Sequence, residues 1–214
     1  MLPRYKLLLA ALAALVALAI PSSAIAQEKL LVEGQAGVAV PTGTFGKYTV
    51  PGPTVGLRFG YRLNDRLVLR ADGDFDFVDG DRLWAMSTAP RFQLWHYTAG
   101  VEANVNVPSV EPVSLAFDFG VGAARMETEQ YRWLGETTPN RRFEKTYPAA
   151  AAGLKLRFRP SDDDRILAFV GAGARVAFAK TADTQDLANV FPSQLRPFDK
   201  AIVVPVMAGL TLKI

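Results

Sequence analysis

Asp72, Asp74 and Asp76 alternate with other residues in the run ADGDFDF, the spacing of the first ligands in an EF-hand calcium loop. Such a loop needs glycine at its sixth position and a bidentate glutamate at its twelfth. Phe77 and Leu83 occupy those positions here, so the calcium interpretation fails. The same spacing places the three carboxylates on one face of a β-strand. There they repel one another and require cationic partners on neighbouring strands.

His96 is the single histidine of the chain, and Thr98 follows it on the same face of a predicted strand. A histidine base activates a hydroxyl nucleophile when a third group orients the ring. The sequence shows no clear third member, so we interpret His96 as an ordinary strand residue. With one histidine and no cysteine, few ligands remain for zinc, haem or iron–sulfur sites, and we predict no cofactor.

Eight segments alternate apolar residues with small or charged ones at period two, which predicts β-strands. Clusters of Gly, Pro, Asn and Asp separate them. The predicted strands cover residues 31–40, 54–62, 67–78, 91–107, 113–124, 150–159, 166–179 and 201–214. Most reach or exceed the roughly 9–11 residues that a tilted strand needs to cross a bilayer.

The connections between these segments alternate in length along the chain. Residues 63–66, 108–112 and 160–165 form short turns, whereas 41–53, 79–90, 127–146 and 180–200 form longer loops. Short turns at one rim and long loops at the other are typical of an outer-membrane barrel. The pattern therefore predicts an all-β fold, an eight-stranded antiparallel up-and-down transmembrane β-barrel.

Alternation alone does not say which face points outward, and a soluble lipocalin-like barrel would bury the apolar face. Eight strands enclose an interior just wide enough to be filled by side chains. The polar face is rich in glycine, whereas the other carries aromatic and large aliphatic residues that would crowd so small an interior. We therefore predict that the apolar face contacts lipid.

The lumen of such a barrel would contain charged side chains of both signs. The predicted lumen charge network comprises Arg58, Arg62, Arg70, Asp72, Asp74, Asp76, Glu102, Asp118, Lys155, Arg157, Arg159 and Arg175. Buried charges must be paired, so we interpret these residues as salt bridges that plug the barrel. The alternative is a narrow polar conduit.

The N-terminus predicts a cleaved signal peptide. Arg4 and Lys6 precede the apolar run 7–20, and a small-residue site ends at Ala26. The 14 apolar residues are fewer than the roughly 18–20 of a spanning helix. We assign residues 1–26 to the signal peptide and 27–214 to the barrel domain. The mature chain retains 22 Lys and Arg against 21 Asp and Glu, which offers no footprint for nucleic acid.

Three stretches carry a resemblance to a known family. They are EGQAGVAVPTGTFG from Glu33, YRLNDRLVLRADGDFDF from Tyr61, and the C-terminal GLTLKI with Gly209, Leu212 and Ile214 in the key places. The chain resembles the small outer-membrane β-barrel superfamily, in the form of the outer-membrane protein A transmembrane domain. This resemblance implies location in the outer membrane of a Gram-negative-type cell. It also implies contact with outer-membrane lipid and recognition of the C-terminus by the outer-membrane insertion machinery.

We expect the protein to be a non-enzymatic structural or surface-interaction protein whose long loops carry recognition of an unidentified surface ligand. The loop aromatics Trp84, Tyr131, Trp133 and Phe191 are the candidate contacts, because exposed loop aromatics often anchor partners. One alternative is a narrow channel or carrier for a small amphipathic solute. Another is an envelope-lipid-modifying enzyme, although the His-x-Ser pattern of such barrels is missing around His96.

Overall fold

The computed structural model describes residues 29–47, 49–80, 91–106, 113–128, 142–160, 165–189 and 197–214. The signal peptide assigned to residues 1–26 lies outside these ranges and stays a prediction. The four loop aromatics, Trp84, Tyr131, Trp133 and Phe191, also lie outside them.

Eight long antiparallel strands form the protein, one for each predicted segment. They are β1 (Leu30–Thr42), β2 (Gly52–Arg62), β3 (Leu67–Gly80), β4 (Phe92–Asn106), β5 (Val113–Thr128), β6 (Glu144–Phe158), β7 (Ile166–Ala177) and β8 (Ala201–Lys213). Their lengths run from 11 to 16 residues, sufficient for a tilted strand to cross a bilayer. A two-residue strand, Thr49–Val50, pairs with the C-terminal end of β3, at Asp79 and Gly80.

Each strand pairs with the next along the chain, and β8 returns to pair with β1 from Leu31↔Lys213 to Thr42↔Ile202. The sheet is therefore closed and its eight strands have no free edge. The predicted eight-stranded up-and-down barrel is confirmed.

Two features of the long-loop end differ from the prediction. The β5–β6 pairing continues to Glu127↔Glu144, so β6 begins six residues before the predicted start at 150. Pro148 lies in this part of β6, and its carbonyl accepts a hydrogen bond from the Phe178 N–H at 2.9 Å. A short helix, α1 (Thr181–Asn189), occupies part of the predicted loop 180–200. Within the described ranges, no helix is long and apolar enough to cross a bilayer.

The helix α1 is held to the barrel by side-chain contacts rather than by a strong helical pattern of its own. The Thr184 hydroxyl donates a hydrogen bond to the Phe198 carbonyl at 2.7 Å. Asp183 lies 3.6 Å from the Lys145 ammonium at the start of β6. Because these partners are distant in the chain, the helix could not be recognised from its local sequence.

The apolar face of the barrel points outward, as predicted. Exposed outward residues include Phe119 at 55%, Val121 at 57% and Leu210 at 58% relative exposure. A water-soluble protein rarely exposes so continuous an apolar surface, and a membrane barrel requires it. We refer to this surface as the apolar belt.

Candidate functional site

The lumen of the barrel contains a buried set of ionised side chains. Among the described residues they are the cations Arg58, Arg70, Lys155, Arg157 and Arg175 and the carboxylates Glu33, Asp72, Asp74, Asp76, Glu102 and Asp118, none more than 8% exposed. They point inward because side chains of an extended strand alternate between faces. We refer to this set as the lumen network.

Arg58 occupies the centre of the lumen network. Its Nε donates to Asp72 at 2.5 Å, and its Nη1 lies 3.3 Å from both Glu33 and Asp118 and 3.6 Å from Glu102. These carboxylates belong to β3, β1, β5 and β4, so one guanidinium on β2 joins four other strands. The side chain therefore fills the bore between them.

Glu33 is a second centre, and the predicted network omitted it. It forms an ion pair with Lys155, lies 3.0 Å from Arg157 and accepts a hydrogen bond from the Thr211 hydroxyl at 3.0 Å. Arg157 also donates two hydrogen bonds to the Glu102 carboxylate, from Nη1 at 2.6 Å and from Nη2 at 3.0 Å. The inward position of Glu33 was evident from strand alternation. What the sequence did not show is that β6 faces β1 across the lumen at this height.

Nearer the long loops, Arg175 compensates the remaining aspartates. Its Nη2 lies 2.9 Å from Asp74 and its Nη1 2.6 Å from Asp76. The Thr54 hydroxyl also donates to Asp76, at 2.5 Å. Asp72 has two cationic partners, Arg58 on β2 and Arg70 on β3 itself. All three aspartates of β3 are therefore paired, two of them with Arg175 on β7, which is not a neighbouring strand.

The described residues His96 and Thr98 do not form a base and nucleophile pair. His96 is 1% exposed, and its Nε2 lies 3.4 Å from Asp76. The Thr98 hydroxyl donates instead to Asp72, at 3.0 Å. The imidazole therefore lies beside Asp76 without a hydrogen bond, and the hydroxyl is bound to a different aspartate.

Glycines on the inward face leave room for the charged side chains. A Cβ atom added at Gly153 would lie 2.8 and 2.9 Å from the two carboxylate oxygens of Asp118. That carboxylate is already fixed by Arg70 at 2.8 Å and Arg58 at 3.3 Å. The glycine is therefore required by the space that Asp118 occupies.

Two residues of the predicted set lie away from the buried network. Arg62 is the last residue of β2 and is partly exposed, and Arg159 follows the end of β6 and is exposed. Both lie at the short-turn rim, where the strand ends and alternation no longer directs a side chain into the bore. This placement corrects the prediction that they lie inside the lumen.

Toward the long loops the lumen becomes apolar. Phe45, Phe92, Leu94, Met126 and Phe198 are at most 1% exposed there, and we refer to them as the mouth plug. The Phe45 ring centroid lies 5.5 Å from that of Phe92 and 5.3 Å from that of Phe198. Phe45 belongs to a short 3-10 turn (Phe45–Lys47) after β1, and Phe198 precedes β8. The plug was not predicted, since no local sequence pattern shows that a loop residue folds back into the lumen.

Small cavities lie between the charged side chains of the described lumen. Two cavities within the lumen network measure about 20 Å³ and about 10 Å³. A single water needs about 10–15 Å³ on this measure, so they hold one or two waters at most.

Comparison with known proteins agrees with this architecture. Residues 9–185 match the family model of the outer membrane protein beta-barrel domain. No curated protein matches the sequence. The fold is similar to Neisserial surface protein A, NspA, with a TM-score of 0.53 and 15% identity over 86% of this chain and 97% of that chain. It is also similar to the outer membrane protein OprG from Pseudomonas aeruginosa, with a TM-score of 0.50 and 10% identity over 87% and 96%.

The solved structures, at these identities, support the fold alone. The family match covers most of the chain and agrees with the closed barrel and its apolar belt. The protein is therefore a member of the outer membrane β-barrel family and lies in the outer membrane of a Gram-negative-type cell.

Proposed function

We propose that this barrel is a non-enzymatic, non-conducting scaffold that holds its long loops at the cell surface for interaction with a partner. The observation that supports the proposal is that side chains fill the described lumen in two successive parts. The lumen network fills the part nearer the short turns, and the mouth plug fills the part nearer the long loops.

The lumen network opposes conduction because its charges are held by one another. Arg58 contacts carboxylates from four strands, and Glu33 and Arg157 join opposite sides of the bore. A permeating ion would have to displace these pairs, leaving charges buried without a partner at a cost of several kcal/mol each, roughly. The two cavities between these charges in the described lumen are water-sized.

The mouth plug adds a barrier of a different kind and also supports the loops. An ion that enters a dry apolar region loses its hydration without compensation. Phe45 and Phe198 belong to two of the long connections, so burying them fixes the bases of those loops. A fixed loop base lowers the ordering cost of binding a partner. Trp84, Tyr131, Trp133 and Phe191 remain our proposed contacts.

Planar-bilayer recording tests the closed lumen. We expect no channel steps from the purified mature protein, and brief openings from a variant that combines Arg58→Ser with Phe45→Ala. Each single variant should stay closed, since one barrier remains. Discrete steps from the unaltered protein would overturn the non-conducting function and favour the narrow channel.

The loop contacts are tested by presenting the protein on cells to arrays of host matrix proteins and glycans. Binding should fall when Trp84 and Trp133 are both changed to alanine. Tyr61→Ala, at the short-turn rim, is the control that should bind normally. Equal binding by all three proteins would contradict the proposed loop role.

The non-enzymatic part of the proposal is tested separately. The buried His96 and the engagement of Thr98 with Asp72 support it. Purified protein incubated with outer-leaflet lipids should release no fatty acid. Release that disappears with His96→Ala would show that the barrel is an envelope-lipid-modifying enzyme.

Recognition by the insertion machinery is a further part of the proposal. Strand β8 closes the barrel against β1; its outward residue Leu212 is 45% exposed, and Ile214, just after the strand, is 42% exposed. Changing Leu212 to serine should lower the amount assembled in cells without lowering the stability of protein refolded in detergent. A fall in both would assign the residue to barrel stability.

A further inference from the structure

Four charged residues form a cluster on the outward wall at the long-loop rim. We refer to Arg125, Glu127, Arg142 and Glu144 as the rim cluster. Arg125 Nη2 lies 3.2 Å from Glu127 and 2.7 Å from Glu144. Arg142 Nη2 lies 2.8 Å from the same Glu127 oxygen and 3.7 Å from Glu144. The two guanidiniums therefore converge on one point.

The rim cluster stands at the upper edge of the apolar belt. Below Arg125, the outward residues Phe117, Phe119 and Val121 of the same strand are 48%, 55% and 57% exposed. Arg125 on β5 lies in register with Trp95 on β4. The ring centroid of Trp95 is 3.9 Å from that of Phe75. Aromatic residues at this height mark the membrane interface, where headgroups begin.

The two glutamates of the rim cluster differ in how far their side chains are buried. The Glu127 side chain is 11% exposed and accepts a hydrogen bond from the Trp95 indole at 3.4 Å, so it has a fixed position. The Glu144 side chain is 47% exposed. An ion pair with so exposed a carboxylate contributes little and can be replaced by a stronger anion.

Arginine is the side chain best suited to bind a phosphate through two parallel hydrogen bonds. Arg125 and Arg142 retain 43% and 51% side-chain exposure while Glu127 orients them. The Nε of Arg125 is buried, so the donors that a phosphate can reach are the terminal nitrogens of the two guanidiniums.

We infer that the rim cluster binds a phosphate group of a glycolipid in the outer leaflet, with Arg125 and Arg142 holding the phosphate in place of Glu144. The acyl chains of that lipid would pack below, against Trp95 and the apolar belt. A lipid fits better than a free anion because the cluster adjoins lipid on its lower side. This surface is separate from the loop contacts of the proposed function.

The test measures binding to the mature protein in detergent by native mass spectrometry. The probes are a bis-phosphorylated acylated disaccharide lipid, its dephosphorylated form and inorganic phosphate. Arg125→Gln and Arg142→Gln should each weaken binding of the phosphorylated lipid about tenfold. Glu144→Gln should strengthen it, because the competing carboxylate is removed. The control Arg91→Gln, at the same rim and 3.0 Å from Asp79, should bind normally.

Several outcomes would overturn the inference. Equal binding of the dephosphorylated lipid would show that phosphate is not recognised, and inorganic phosphate as tight as the lipid would assign the site to a soluble anion. Unchanged binding by Arg142→Gln would also contradict it. That variant keeps the test valid if Arg125→Gln fails to fold, since Arg142 lies outside the strands. A boiling-dependent gel shift verifies folding of each variant.

Discussion

The lumen network and the mouth plug close the same bore with side chains of opposite character. The network is built from strand residues of both signs, whereas the plug combines strand residues such as Phe92 with loop residues such as Phe45 and Phe198. Both are almost completely inaccessible to solvent. An eight-stranded barrel can therefore be filled by charged or by apolar side chains. The two fillings lose stability for different reasons when one side chain is removed.

The reason lies in what each removed side chain leaves behind. A buried ion pair depends on its geometry, and losing one partner leaves an uncompensated charge in a medium of low dielectric constant. An apolar contact loses only its buried area and the packing around the gap. We therefore expect the network to be sensitive at single positions and the plug to be more tolerant.

The largest effect should come from Arg58→Met, which leaves four carboxylates short of a cation. We expect the free energy of unfolding to fall by about 3–5 kcal/mol. Urea unfolding in lipid vesicles, followed by tryptophan fluorescence, measures it. The control Arg62→Met, on the same strand but at the rim, should stay within about 0.5 kcal/mol. Equal losses in the two variants would contradict the central role of Arg58.

Phe45→Ala tests how much the mouth plug contributes to stability and to the order of the loop after β1. We expect a loss of about 3 kcal/mol, the lower end for a buried phenylalanine, because neighbouring loop residues can partly fill the gap. The bases of the long loops should also loosen, so proteolysis within residues 43–51 should become faster while the strands stay protected. The lipid-facing Phe77→Ala should leave this cleavage rate unchanged. An unaltered rate in Phe45→Ala would mean that the plug does not anchor the loop.

Gly153→Ala probes how tightly the network is packed. The added methyl would contact both oxygens of the Asp118 carboxylate, which Arg58 and Arg70 hold in place. We expect a loss of about 1–3 kcal/mol from overpacking. At Gly73, by contrast, a Cβ would meet no atom within 4 Å. Gly73→Ala should therefore be neutral or stabilising by up to about 1 kcal/mol, and a reversed order would contradict the packing argument.

The smallest effect should come from an exposed pair outside the lumen. Arg91 and Asp79 lie 3.0 Å apart with side chains 62% and 58% exposed. Arg91→Gln should cost about 0.5 kcal/mol or less, and about 1 M salt should remove even that difference. The loss caused by Arg58→Met should persist in the same salt, since buried pairs are screened much less. A salt-sensitive Arg58 effect would indicate that water enters the lumen.

Much of the lumen network followed from alternation along single strands. Asp72, Asp74 and Asp76 were placed inward because every second side chain of a strand shares a face. Arg62 and Arg159 were misplaced because alternation gives the face of a side chain but not whether that side chain is still enclosed at the rim of the barrel. Glu33 was omitted although alternation placed it inward; its partners Lys155 and Arg157 lie on β6, which only the closed barrel brings opposite β1.

The sequence by itself determined the number and order of the strands, the direction of each face and the side of the barrel that meets lipid. These properties depend on the backbone of one extended segment and on connection lengths. Only the tertiary structure decided which charges pair across the bore and that Phe45 and Phe198 return into its mouth. Those contacts depend on the stagger of all eight strands and on the whole path of each loop, which no single segment encodes.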